Sequence, residues 1–232
     1  MLWKLLFAAA GIAAAIVLWA IRAGTLHIPE RFNPWAELDI EAPPNMITRF
    51  KLSRLSNDAE LCHRVLATAA MRYERLSDRD TGPRCGFRNA VRIDRMQSEV
   101  NEAFSLTCRA AVSLALWERH VLQPAAREHF GRRIARIEHF GSYACRNVYG
   151  RANTRRSQHA TAEALDVAGF TLEGGERIRV LNDWTSGDQA SVFLHDVRDG
   201  ACRFFDGVLG PDYNEAHRDH FHLDRGPHRV CR

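Results

Sequence analysis

Near the C-terminal end, the stretch HRDHFHLD (residues 217–224) places three histidines and two aspartates within eight positions. Histidine is the commonest metal ligand and titrates near neutrality without help. The segment alternates like a strand, so His220 and His222 are expected on one face, with Asp219, Phe221 and Leu223 on the other. Two histidines so placed suit one metal ion; alternatively, one binds metal while its neighbour moves protons. A catalytic zinc site takes three protein ligands and keeps one position open. The segment SQHATAEALD offers further ligands, with His159 in a loop and Asp166 in the strand that follows. Their separation of seven residues is wrong for sharing an ion from one helix face, where they would stand about 10.5 Å apart along the axis. It converges if the chain turns after His159 and runs back as a strand. Asp224, on the same side of the alternation as His222, either orients that ring through its second nitrogen or is a surface turn aspartate. His27, His63, His120, His129, His139, His195 and His228 are isolated and read as surface or core residues.

The elements that must position this cluster are an early set of helices and a later set of strands. SNDAELCHRVLATAAMRYERL reads as an amphipathic helix with Asn57 as its cap and Leu61, Val65, Leu66 and Ala69 on one stripe. NAVRI (89–93) alternates like a strand. CRAAVSLALWERHVLQPAAREHFG reads as one or two helices, interrupted at Pro124 and stopped by Gly131. RIARIEHF (133–140) leads as a strand into GSYACR, and a polar, basic loop follows from Asn147 to Gln158. ALDVAGF and RIRVLNDW read as strands joined at Gly174-Gly175, and GDQASVFLHDVRDG as a helix. Helices first and strands later predict an α+β domain. Trp184, Phe193, Phe204 and Phe205 are expected in its core. The loop RNVYGRANTRR lines a groove or is simply solvated.

The chain's 232 residues suffice for one domain and an accessory segment. A net charge of +4 suits an anionic surface such as a cell wall but is far too weak to argue for nucleic acid. Residues Leu5 to Ile21 carry no charge, and Trp3, Trp19, Lys4 and Arg22 stand near the ends of the run. This predicts a transmembrane signal anchor over residues 1–22. A cleaved signal peptide fits less well, because its best Ala-x-Ala site, Ala13 to Ala15, is followed by more apolar residues. The proline-bearing residues 23–46 read as an extended linker to a domain over 47–232. Six widely spaced cysteines without a CxxC pair predict up to three disulfides in an oxidising compartment, with fifteen connectivities open.

SxHxxxxAxD followed by HxH resembles the zinc D-Ala-D-Ala peptidases of the M15 class, which include penicillin-insensitive murein endopeptidases. Their core fold is shared with lysostaphin-type enzymes and the hedgehog signalling domain. GSYACR, SQHATAEALDVAGF, DGACRFFDGVLGPDYNEAH and HRDHFHLD resemble, more closely, the bacterial extensin-like C-terminal domain family over residues 43 to 232. The resemblance implies a small, mainly antiparallel sheet flanked by helices on an M15/hedgehog-like core. It implies Zn2+ held by His159, Asp166 and His222, with His220 as general base or transition-state stabiliser. Arg146 then matches an arginine that contacts the substrate, and Ser157 the serine of the SxH motif. M15 carboxypeptidases often place a glutamate where Asp219 stands, which leaves the base open between His220 and Asp219; the alternation favours His220. His217 matches the first position of an HxxHxH pattern and is expected at the rim.

The function so implied is a zinc metallopeptidase, a hydrolase anchored in the inner membrane with its domain in the periplasm. It would cleave peptidoglycan stem peptides or cross-links as a DD-carboxypeptidase or endopeptidase. Its partners are peptidoglycan and, through the N-terminal helix, the membrane; nucleic acid is not among them. The competing reading is a wall-binding module whose metal site is structural or vestigial. A role on plant extensin has little behind it, since no hydroxyproline-type repeat is present.

Overall fold

The apolar run at the N-terminus forms helix α1 (Leu2–Arg22), whose described side chains are mostly exposed. Its 21 residues rise about 32 Å, which matches a hydrocarbon core of about 30 Å. By length and composition it is able to cross a membrane, a property it shares with signal sequences. The computed structural model describes residues 2–23, 25 and 28–232; Met1, Gly24, Leu26 and His27 lie outside the described residues. Residues up to Glu37 form one unit and Leu38–Arg232 a second.

The second unit opens with helices α2 (Thr48–Arg54) and α3 (Ala59–Leu66). The α3 cap is Asp58, whose carboxylate accepts the Leu61 N–H at 2.9 Å, and not the expected Asn57. Nor does the helix continue through MRYERL. Strand β1 (Arg72–Leu76) occupies that stretch, followed by β2 (Arg79–Gly82), β3 (Cys85–Phe87), β4 (Ala90–Arg95) and β5 (Glu99–Thr107). Next come helices α4 (Cys108–Trp117) and α5 (Gln123–Phe130), joined by a π turn over Glu118–Leu122. Pro124 has no N–H for the helical ladder, and the wider turn just before it accommodates that loss. Gly131, at φ 64°, closes α5 as expected.

Strands β6 (Ile134–Gly141), β7 (Ala164–Leu172) and β8 (Arg177–Arg179) precede the short α6 (Val180–Asp183) and α7 (Gln189–Ala201). The chain ends in β9 (Gly207–Leu209), β10 (Phe221–Asp224) and β11 (Val230–Cys231). The sheet runs β1-β4-β5-β6-β7-β10-β9-β11, with β8 also paired to β7, so it has nine strands and is not small. Among the described residues, only the β5–β6 and β9–β11 pairs are parallel. The domain is α+β on a mainly antiparallel, mixed sheet.

One face of this sheet carries the core. Leu165, Val167, Phe221 and Leu223 join Trp117, Phe193 and Leu194 of the helices in a single buried cluster, and Trp184, Phe204 and Phe205 belong to it too. Because side chains alternate, Asp166, His222 and Asp224 point to the opposite face. All six cysteines are paired, as Cys62–Cys108, Cys85–Cys145 and Cys202–Cys231. The second of these ties the β2–β3 hairpin to the residue next to Arg146.

Candidate metal centre

Three side chains converge on the sheet face away from the helices. Asp166 and His222 are direct cross-strand partners in the β7–β10 ladder, which brings the His222 Nδ1 to 2.9 Å from Asp166 Oδ1. His159 arrives from a 3-10 turn, Gln158–Thr161, that precedes β7. Ala162 in the left-handed region (φ 55°) then redirects the chain into the strand. The His159 Nε2 lies 3.2 Å from Asp166 Oδ1 and 3.1 Å from His222 Nδ1. All three residues are at most 8% exposed.

The outer nitrogens decide what the inner ones present. The His159 Nδ1–H donates to the Ser142 carbonyl at 3.0 Å, and the His222 Nε2–H donates to Asp224 Oδ2 at 3.0 Å. Neutral rings so held turn two lone pairs and a carboxylate toward one point, an arrangement that requires a proton or a cation between them. In the metal-free protein a proton fills that role. Burial opposes the charge on His222, but hydrogen bonds to Asp166 and Asp224 outweigh it and raise the pKa to about 9. Burial likewise pushes Asp166 up, yet the hydrogen bonds and charges of His159 and His222 hold it well below the usual carboxylate range. The donor set also fits zinc. Tetrahedral ligands at 2.0–2.1 Å lie about 3.3 Å apart, close to the 2.9–3.2 Å separations here. His–His–carboxylate is moreover a catalytic zinc combination. Among the described residues this is the one such cluster.

Asp224 is itself clamped. Gly226 N–H donates to its Oδ1 at 2.6 Å. A Cβ on Gly207 would lie 2.2 Å from its Oδ2, so only glycine lets the carboxylate lie across β9. Gly207→Ala is therefore expected to displace Asp224 and release the His222 Nε2–H. Zinc affinity, measured by competition with a chelating dye, should fall about 10- to 100-fold, the usual cost of losing an outer partner of a ligating histidine. Unchanged affinity would show that Asp224 does not orient the ring.

The remaining candidates take distinct places. His220 precedes β10 and is not part of it, yet its Nε2 still lies 3.5 Å from Asp166 Oδ1. Its Nδ1–H donates to Asp219 Oδ1 at 2.8 Å, so Asp219 backs His220 and does not line the cleft. His217 is 8% exposed and donates from Nδ1 to Asn214 Oδ1 at 2.8 Å. Burial and the charges of His222 and His220 lower its pKa to about 4 against the pull of Asp166, leaving the ring neutral. The Ser157 hydroxyl caps the turn by accepting the His159 N–H, a structural part. Arg146 is exposed on the cleft wall, and its guanidinium has no hydrogen-bond or ion-pair partner among the described residues. Of the isolated histidines, His63 and His139 are buried, His120, His129 and His195 half-buried, and His228 exposed.

The cleft holds about 220 Å³; Tyr149 and Arg155 of the loop RNVYGRANTRR stand on its wall, as do Gln158 and Tyr213, which sequence reasoning passed over. Tyr149 is a non-glycine residue at φ 55°, and Asn214 Nδ2 donates to its hydroxyl at 2.8 Å. That bond couples the basic loop to His217 through Asn214. Phe140, 61% exposed, sets its ring edge-on to His220 at 5.8 Å. Exposed aromatics thus gather at the cleft mouth. Only the basic loop hinted at them, through its tyrosine among arginines. Ser142 was invisible for another reason, because its backbone carbonyl makes the contact. A larger, shallow hollow of about 780 Å³ by the β2–β3 hairpin brings no such donors together.

These features sit within one family domain. The model for the extensin-like protein C-terminus matches residues 60–232, and the chain belongs to that family. The PPNMITRFKLSRL segment precedes the matched region. No curated protein and no solved structure matches the chain.

Proposed function

We propose that the chain is a zinc-dependent hydrolase of peptidoglycan peptides, built on an M15-like site and held at the outer side of the inner membrane by α1. The observation that carries this reading is the convergence of His159 Nε2, Asp166 and His222 Nδ1, each histidine fixed through its other nitrogen. Three disulfides support an oxidising compartment such as the periplasm. His159, Asp166 and His222 would hold a zinc ion, which when bound would supply Lewis acidity and lower the pKa of a water toward neutrality. His220, its Nδ1–H committed to Asp219, presents the Nε2 lone pair to the cleft and serves as the general base. The same nitrogen returns the proton to the leaving amine. Arg146, whose guanidinium has no partner among the described residues, faces the negative charge that develops on the amide oxygen. Neutral His217, buried beside His220 and His222 and not at the rim, offers a further acceptor within the cleft.

Digestion of purified peptidoglycan with the zinc-loaded domain, followed by mass analysis, is expected to yield products cut at a peptide amide. Chelator should abolish them. Sedimentation with sacculi without any new product would favour the wall-binding module instead, and cleavage that survives chelation would sink the metal mechanism.

A further inference from the structure

Two separate stretches of chain wall the metal cleft. One is the basic segment 147–156 with Arg146 just before it, and the other is the turn over residues 213–217. Asp166 and His222 of the sheet line the same cleft.

The basic segment is closed on itself. Asn147 and Arg156 pair as an isolated bridge at its ends, and the Val148 N–H donates to the Arg155 carbonyl at 3.0 Å. Inside it, Asn147 Nδ2 donates to the Arg151 and Ala152 carbonyls at 2.8 and 2.9 Å, and the Thr154 hydroxyl donates to that of Val148 at 3.1 Å. Its base is fastened to the β2–β3 hairpin. Cys145 is bonded to Cys85, and Arg156 donates from Nε and Nη2 to the Pro83 carbonyl at 3.1 and 2.8 Å. A loop so bonded within itself and fixed at its base moves as one piece about that base.

The tip is held by less. Asn214 Nδ2 donates to the Tyr149 hydroxyl at 2.8 Å, and among the described residues this is the one hydrogen bond from the segment to the opposite wall. Arg155 adds the pull of its charge on Asp224. Tyr149 stands at φ 55°, a region that a non-glycine residue keeps only where its surroundings hold it there. The orientation of the Asn214 amide is fixed in turn. Its Oδ1 accepts the Ala216 N–H at 3.1 Å, and a backbone N–H only donates, so Nδ2 is left for Tyr149. The same Oδ1 accepts the His217 Nδ1–H, which makes Nε2 the accepting nitrogen of that ring. One amide thus holds the tip of one wall and sets the tautomer of a histidine in the other.

We propose that residues 147–156 form a strap latched across the cleft by the Tyr149–Asn214 hydrogen bond, and that Tyr149 and Asn214 are positioning residues that fix the gap between Arg146 and His217. They act through these wall residues and not on the substrate. Their effect on turnover rests on the hydrolase reading, in which Arg146 meets the charge that develops on the amide oxygen.

Spin labels on Asn153→Cys and Glu215→Cys, exposed positions in the two walls, measure the gap in the full chain. With no further change, one narrow distance distribution is expected. Tyr149→Phe, which removes only the hydroxyl, should broaden it toward longer distances. Asn214→Asp should keep it narrow, because the Tyr149 hydroxyl then donates to the carboxylate. Without labels, zinc-loaded Tyr149→Phe should cleave a soluble muropeptide with kcat lowered about fivefold, the effect of one lost hydrogen bond, at unchanged KM and zinc content. A distribution that stays narrow in Tyr149→Phe overturns the latch, whatever the activity. A broadened distribution with unchanged kcat overturns the positioning role. Absence of turnover in the wild type overturns the hydrolase reading and the positioning role with it, while the distances still decide the latch.

Discussion

His159→Ala and His222→Ala are each expected to lose zinc, with affinity falling by more than the roughly 10- to 100-fold that changes outside the ligand set produce. Either change removes one of the converging donors and leaves Asp166 with one of its two hydrogen-bonded imidazoles. Metal content after dialysis, together with a competition titration, measures this directly. The variants separate two assignments, because His220 Nε2 also approaches Asp166 Oδ1, at 3.5 Å against 2.9 Å for His222 Nδ1. If His220→Ala empties the site while His222→Ala retains zinc, the ligand and the base have been exchanged. The second nitrogens argue against that exchange. His222 is fixed by a clamped carboxylate on a strand, whereas His220 is fixed by Asp219, which is itself one-third exposed.

His220→Ala, by contrast, should keep the metal and lose turnover by about 10²–10⁴-fold, the range that general acid–base groups contribute. Asp219→Ala leaves the His220 ring in place but frees its Nδ1–H. It is expected to fall between wild type and His220→Ala in kcat, with zinc content unchanged. Steady-state kinetics on a soluble muropeptide alongside metal analysis gives both numbers. Full turnover in His220→Ala would move the base elsewhere, and His217 would be the next residue to replace.

The parts of this arrangement that were legible in the sequence are those set by alternation and short spacing. His222 with Asp224 against Phe221 and Leu223 follows from the two-residue period of a strand. The return of the chain after His159 was expected as a geometry that lets residues seven apart meet. The His220–Asp219 pairing was not legible, because a helical turn at Glu215–His217 precedes the cluster and the strand begins only at Phe221. With no pleat to separate them, two consecutive side chains were able to meet. Strand β1 was read as helix because it is an edge strand whose charged residues leave little alternation, as its mostly exposed side chains attest. Strands β5 and β9 went unread, the first polar along half its length and the second only three residues long. Gly207 and Ser142 act through an absent Cβ and a backbone carbonyl, which no residue pattern announces. Disulfide pairing depended on the fold itself.

The direct Asp166–His222 pairing in the β7–β10 ladder has a consequence for assembly. A shift of β10 by one residue would turn His222 and Asp224 into the core and bring Phe221 and Leu223 out beside Asp166. The donor cluster therefore exists in one alignment of these strands and in no neighbouring one. Since β10 follows β7 with α6, α7 and β9 between them, the chain through Asp224 must be available before that alignment can form. On the proposed metal reading, cation capture would report that the sheet has closed in register, and a bound ion would in turn penalise every misaligned form of it.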